Sequence, residues 1–192
     1  VAIKAHKPAK SHPARVITSH IGAPQEGLAS HLNSLLKPYN DESPYVCKNS
    51  SEFVGKIRNL SLLPEEKMFS YDAEALFPSV PIADCITAIH SKLVADDQLI
   101  NRTKLSPDDI AELLHLCLSS SDFVFDGRHH TANDMGPIGL SLMVTVAQFW
   151  MTHTMTKAVA VACERNVPIP QNLQVYMDDC WCTMLSQPPR RP

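Results

Sequence analysis

Two adjacent aspartates, Asp178 and Asp179, are the side chains of this sequence best suited to carry chemistry. They follow Tyr176-Met177 and precede Cys-Trp-Cys, so apolar segments flank an acidic turn. Neighbouring carboxylates repel each other, and tight turns form more favourably from pairs such as Asn-Gly. A divalent cation held between the carboxylates would remove that penalty. The alternative is an ordinary exposed turn, because Asp is common in turns.

A third acid, Asp72, strengthens the metal hypothesis. It lies near the end of residues 67–73, whose alternation predicts a strand. If that strand pairs with a hairpin formed by residues 173–184, the three carboxylates converge. Carboxylate and carbonyl oxygens suit Mg²⁺ or Mn²⁺ better than zinc. Two such ions about 4 Å apart can activate an attacking hydroxyl and stabilise a leaving pyrophosphate.

The elements that must position these acids follow from apolar periodicity and from capping residues. Besides the strands named above, the sequence predicts helices over 24–37 (ended by Pro38), 51–60, 82–93, from Ser106-Pro107 onward and over 141–163, and a hairpin that turns at Asp126-Gly127. Strands and helices mixed in this order predict an α+β fold, with helices packed on an antiparallel sheet.

The order of motifs along nearly the whole chain resembles the reverse transcriptases of Penelope-like retroelements. Tyr176-Met177-Asp178-Asp179 looks like the Tyr-x-Asp-Asp motif of reverse transcriptases. Residues 69–81, Phe-Ser-Tyr-Asp-Ala-Glu-Ala-Leu-Phe-Pro-Ser-Val-Pro, resemble the first catalytic motif of that family. Residues 6–24 resemble its fingers segment, a Lys-Pro and an Arg that lead into Ser-x-Ile-Gly-x-Pro. Residues 123–127 and 135–139 fall where the family has a hairpin and a glycine-containing second motif.

The resemblance implies a role for each of several residues. Asp72 and Asp178 would be the main metal ligands, Asp179 the weaker third, and the carbonyl of Ala73 would complete one ion's shell. Lys7 and Arg15 would hold the nucleotide triphosphate, Phe77 would lie under the sugar, and Gln148 would lie behind the nucleotide. Three alternatives stay open on residue type alone. Lys4 or Lys10 could serve in place of Lys7. Arg15 could be a surface residue of a basic arm, and Phe77 could be a core aromatic.

The resemblance also implies the architecture and the reaction. We expect the fingers and palm of a right-hand polymerase, with fingers-like residues 1–66, palm-like residues 67–192, helices behind an antiparallel palm sheet, and the thumb absent. The activity implied is RNA-directed DNA polymerase, a nucleotidyltransferase that uses Mg²⁺ or Mn²⁺, an RNA template, a DNA primer and deoxynucleoside triphosphates. The sequence does not indicate an oligomeric state.

One departure from the family supports a rival hypothesis. The second motif of the family reads close to Gly-Ser-Pro-Leu-Ser-Pro, whereas residues 139–144 read Gly-Leu-Ser-Leu-Met-Val. A decayed or domesticated descendant that binds nucleic acid without catalysis is therefore the alternative. The three acids oppose it, because a binding-only module gains nothing from clustered negative charge near phosphates. A nuclease with an acidic metal site is a further rival.

Composition restricts the protein class without selecting a function. Hydrophobic residues make up 44% of the 192-residue chain and charged residues 19%, a globular balance. The net charge of −3 gives no general support for nucleic-acid binding, although residues 1–20 contain four basic residues and no acid. Six cysteines without a CxxC pair indicate a reducing compartment, nuclear or cytoplasmic and not secreted. Residues 135–156 lack charged side chains, yet polar interruptions favour a buried helix over a membrane span.

Overall fold

The computed structural model describes residues 2–3, 14–15, 17–119, 122–131 and 136–185. The protein is an α+β chain with a small three-stranded antiparallel sheet backed by helices. Its elements are β1 (Ala2–Ile3), β2 (Ala14–Arg15), α1 (Glu26–Asp41), α2 (Ser50–Ile57), β3 (Glu66–Asp72), α3 (Leu76–Ser79), α4 (Ile82–Val94), α5 (Leu99–Arg102), α6 (Pro107–Ser119), β4 (Asp122–Phe125), β5 (Arg128–Thr131), α7 (Ser141–Glu164), β6 (Gln171–Tyr176) and β7 (Asp179–Leu185).

The chain forms two compact units, each built from two separate segments. Val1–Lys37 and Ala75–Ala147 form the helical unit, and Pro38–Glu74 and Gln148–Pro192 form the sheet unit. The division into fingers-like residues 1–66 and palm-like residues 67–192 is based on sequence motifs, whereas these two units are defined by compactness. That division therefore stays a prediction. Among the described helices, none is long and apolar enough to span a membrane.

The sheet unit is organised around strand order β3-β7-β6, with every neighbouring pair antiparallel. A further segment lies along the outer edge of β6, where Val46 forms a parallel bridge with Val175. The Cys47 N–H donates to the Val175 carbonyl at 2.9 Å, and the Val175 N–H donates to the Tyr45 carbonyl at 2.7 Å. These bonds satisfy backbone groups at this edge of the sheet.

Helices cover both faces of this sheet. Leu173 and Val175 of β6 are buried, as are Cys180 and Cys182 of β7. On the Cys180 face, the Tyr71 hydroxyl lies 3.8 Å from the Met155 sulfur of α7. On the opposite face, Phe53 of α2 meets Trp181 edge-to-face, with ring centroids 5.5 Å apart. Alternation along β7 therefore turns successive side chains toward opposite faces, with α7 on the Cys180 face and α2 on the Trp181 face.

α4 and α6 pack against each other within the core of the helical unit. Apolar residues at helical spacing are buried on both helices: Cys85, Ile86, Ile89 and Leu93 on α4, and Ile110, Leu114, Cys117 and Leu118 on α6. The predicted capping box at the start of α6 is confirmed. The Asp109 N–H donates to the Ser106 hydroxyl oxygen at 3.1 Å, and the Ser106 N–H donates to the Asp109 carboxylate at 2.9 Å.

The prediction that Pro38 ends the first helix was wrong, because α1 continues to Asp41. Proline in a helix interior costs roughly 3 kcal/mol, since its ring removes one hydrogen bond and crowds the preceding turn. The additional turn buries Tyr39, which is 7% exposed, and burial of a large side chain contributes about 1.5–3 kcal/mol. The Glu42 N–H also donates to the Pro38 carbonyl at 3.0 Å. The two effects are of similar size, so the helix passes the proline.

Candidate active site

The two adjacent acids lie at the tip of the predicted hairpin, which the structure confirms. β6 and β7 are joined by Met177 and Asp178, and Tyr176 lies opposite Asp179. Met177 has φ +56, the left-handed region that two-residue hairpin turns require at their first position. Asp178 therefore belongs to the turn, whereas Asp179 is the first residue of β7. Both residues are exposed.

Pairing of β3 with β7 brings the third acid to the same end of the sheet. Asp72, the last residue of β3, is the direct partner of Asp179, and its side chain is exposed. Residues directly opposite each other in an antiparallel pair direct their side chains to the same face. The Ala73 N–H donates to the Asp178 carbonyl at 2.9 Å. Asp72, Ala73, Asp178 and Asp179 thus lie side by side at one end of the sheet.

The chemistry of this cluster fits a hard divalent cation. Its acidic side chains and nearby backbone carbonyls offer only oxygen atoms, which Mg²⁺ and Mn²⁺ prefer. Among the described residues, no Lys, Arg or His forms an ion pair with Asp72, Asp178 or Asp179. Within the same residues, no group of three or more His, Cys, Asp or Glu side chains is already placed to hold a metal ion.

The cysteines next to the acids are held in their neutral form. Burial raises the pKa of Cys180, and the charges of Asp179 and Asp72 also contribute to the rise. Burial likewise raises the pKa of Cys182, and it raises that of Tyr71 to about 12. A thiol with a raised pKa is a poor nucleophile and a poor metal ligand. Neither thiol is therefore suited to act as a nucleophile or as a metal ligand beside the acids.

An aromatic cavity of about 380 Å³ adjoins the acids on the Trp181 face of the sheet. Phe53, Trp181 and Tyr176 supply its rings, while Asp179 and Ser70 supply polar groups. Sequence reasoning missed this cavity, because Phe53 reaches it from a distant helix. The available signal was the period of two along β7, which places Trp181 on the same face as Asp179.

The other predicted site residues lie elsewhere in the chain. Phe77 is half-buried on α3 of the helical unit, and Gln148 is half-buried on α7 in the sheet unit. Arg15 is the last residue of β2 and pairs through its backbone with Ala2. Lys7 lies outside the described residues. Of the predicted positions, the structure brings together the three acids and Ala73, all within the sheet unit.

The fold and this site define an α+β protein with an oxygen-rich acidic cluster at the tip of a β-hairpin. No protein-family model matches the chain, and no curated protein matches it.

Proposed function

We propose that this chain is the fingers-and-palm core of a reverse transcriptase that resembles those of Penelope-like retroelements. The observation that carries the proposal is the register of β3 with β7. It puts Asp72 directly across from Asp179, at the tip of a hairpin that reads Tyr-Met-Asp-Asp. Those acids come from segments more than one hundred residues apart, so their meeting depends on the fold.

The proposed reaction is attack of a primer 3′-hydroxyl on the α-phosphate of a deoxynucleoside triphosphate. When bound, Mg²⁺ or Mn²⁺ ions would activate that hydroxyl and neutralise charge on the leaving pyrophosphate. Asp72 and Asp178 would be the main ligands of these ions, Asp179 would be the third, and the Ala73 carbonyl would complete one shell. The hydrogen bond from Ala73 to Asp178 supports this assignment, because it holds two of these backbones together.

The nucleotide would be held by residues outside the acidic cluster. The planar guanidinium of Arg15 suits phosphate oxygens, which it can bind with two parallel hydrogen bonds. Lys7 would supply a second positive charge, and Phe77 a rigid ring against the sugar. Gln148 would lie behind the nucleotide on α7. The right-hand polymerase architecture, an RNA template, a DNA primer and a nuclear or cytoplasmic site of action belong to the same proposal.

The test is extension of a labelled DNA primer on an RNA template, with and without Mg²⁺. Metal-dependent addition of deoxynucleotides is expected. Metal-dependent cleavage of the same substrate would indicate a nuclease instead. Binding with neither reaction would support the decayed descendant, which the Gly-Leu-Ser-Leu second motif favours. Longer and shorter labelled products distinguish extension from cleavage on one denaturing gel, and a mobility-shift measurement on the same substrate detects binding without reaction.

A further inference from the structure

Two glycines in the segment before α7 make unusually close backbone contacts. Gly136 is buried, and a Cβ at this position would lie 2.7 Å from the Phe77 carbonyl oxygen and 2.6 Å from the Met143 sulfur. Gly139 has φ +118, and a Cβ there would overlap the Thr18 carbonyl oxygen. Side-chain atoms do not approach backbone atoms this closely, so both positions require glycine. All of these residues belong to the helical unit.

We propose that Gly136 and Gly139 are positioning residues for nucleotide binding. Gly136 sets the backbone that presents Phe77, and Gly139 sets the backbone that follows Arg15. One short segment would thereby align the residue facing the sugar with the residue facing the triphosphate. The inference rests on the proposed function, and it gives the altered second motif a role that needs no Ser-Pro sequence.

The contact at Gly136 bears on Phe77 through the main chain. α3 has four residues and follows Ala75, whose φ of +52 is unusual for alanine. A methyl group at position 136 would meet both Met143 and the Phe77 carbonyl. The flexible end of Met143 can rotate away. The Phe77 carbonyl can move only if the backbone that carries the ring moves too.

The contact at Gly139 bears on the segment after Arg15. The Thr18 N–H donates to the Ile138 carbonyl at 2.8 Å, and the Thr18 carbonyl lies 3.0 Å from Nδ1 of the buried His20. Thr18 is therefore held on both sides, three residues after Arg15. A side chain at position 139 would push Thr18 out of this position, and we expect that shift to reach Arg15 through the main chain. Displacements of about 1 Å can reduce catalysis by roughly 100-fold.

The experiment compares single-nucleotide incorporation with deoxy- and ribonucleotides in wild type, Gly136→Ala and Gly139→Ala. Gly136→Ala should lower the deoxy-to-ribo ratio of kcat/KM by about tenfold, within the range that small misplacements produce. Gly139→Ala should raise the KM for both nucleotides by a similar factor and leave the ratio unchanged. Gly27→Ala on α1 is the matched control, because a Cβ there meets nothing within 4 Å.

Two additions separate a positioning role from simple packing. Gly136→Ala/Met143→Ala removes the thioether but leaves the Phe77 overlap, so the ratio should stay low; restoration of the ratio would overturn the inference. If Gly136→Ala alone does not fold, the sugar ratio of this double variant provides the test instead. Equilibrium nucleotide binding to a complex with a dideoxy-terminated primer should weaken in Gly139→Ala, and the Thr18 amide of wild type should exchange slowly with solvent.

The outcomes also distinguish this inference from the proposed function. Absence of any incorporation by folded wild-type protein would contradict the polymerase assignment itself. Incorporation by wild type, with an unchanged sugar ratio in Gly136→Ala or an unchanged KM in Gly139→Ala, would overturn only the positioning roles. Rapid solvent exchange of the Thr18 amide in wild type would likewise overturn the positioning role of Gly139.

Discussion

Neutralising one acid of the cluster should stabilise the protein without metal and weaken its response to metal. The change is Asp179→Asn, which keeps the size of the side chain and removes its charge. Asp179 lies directly opposite Asp72 and next to Asp178, and all three are exposed. Like charges placed directly across a strand pair repel, so removing one relieves that repulsion.

The register and the exposure determine the magnitude. Removal of an opposed like charge should stabilise the metal-free protein by about 0.2–1 kcal/mol. For a protein of this size, that corresponds to a rise in Tm of roughly 0.4–4 °C. A metal that binds only the folded state adds about 2.7 kcal/mol at 100 times its Kd. With Mn²⁺ at that level, wild type should therefore melt roughly 5–10 °C higher than without metal, and the variant should gain less.

The assay is thermal unfolding with EDTA and across a Mn²⁺ titration, at low ionic strength because salt screens exposed charges. The two melting curves should exchange order: the variant is more stable without metal and wild type is more stable with it. Asp97→Asn is the control, because Asp97 is also exposed and also adjacent to a second acid, Asp96, but it lies in the loop before α5 of the helical unit, outside the proposed metal site. Equal gains with Mn²⁺ in wild type and Asp179→Asn would refute the metal-site reasoning.

Three further predictions concern other positions. Phe77→Val should increase the use of ribonucleotides and reduce the use of deoxynucleotides only slightly, which lowers the deoxy-to-ribo ratio of kcat/KM. An unchanged ratio would indicate that Phe77 is only a core aromatic. Arg15→Ala should raise the KM for nucleotide more than it changes template affinity, and an unchanged KM would leave Arg15 a surface residue. Burial, with a smaller contribution from Lys157, lowers the pKa of His153 below its ordinary value of 6.5. Just below pH 6.5 the unfolded chain therefore binds more protons than the folded chain, so the unfolding free energy falls as the pH decreases through this range. His153→Phe should make the unfolding free energy, measured by urea titration, depend less on pH there, and equal pH dependence in the two proteins would contradict the prediction.

Local features of the fold were predictable because their causes are local. The capping box of α6 needs only Ser106 and Asp109, which are three residues apart. The turn between β4 and β5 falls at Asp126-Gly127, where φ values of +50 and +70 favour these two residue types. The extension of α1 past Pro38 was not predictable, since it depends on burial of Tyr39, a tertiary effect.

The candidate site likewise combines features that local sequence patterns predict with features that depend on the tertiary fold. Residue types and alternation predicted an acidic hairpin and a strand that ends at Asp72. The register that puts Asp72 opposite Asp179 depends on long-range pairing, so the meeting of the acids could be expected only on the condition that the two strands pair. The contact between Phe53 and Trp181 joins positions 128 residues apart (181 − 53), and no local pattern signals it. The close approach of Gly139 to Thr18 also joins distant parts of the chain, so the sequence alone indicates only a turn at this glycine.

The central claim is most directly tested by single-nucleotide addition to a DNA primer on an RNA template with Mg²⁺, comparing wild type with Asp178→Asn. Asp178 is the proposed main ligand at the exposed tip, and Asn preserves its shape, so the variant should fold as wild type does. The account predicts addition by wild type and loss of at least about 100-fold in kcat for the variant, the scale associated with removing transition-state charge stabilisation. Equal rates of addition in the two proteins would contradict it.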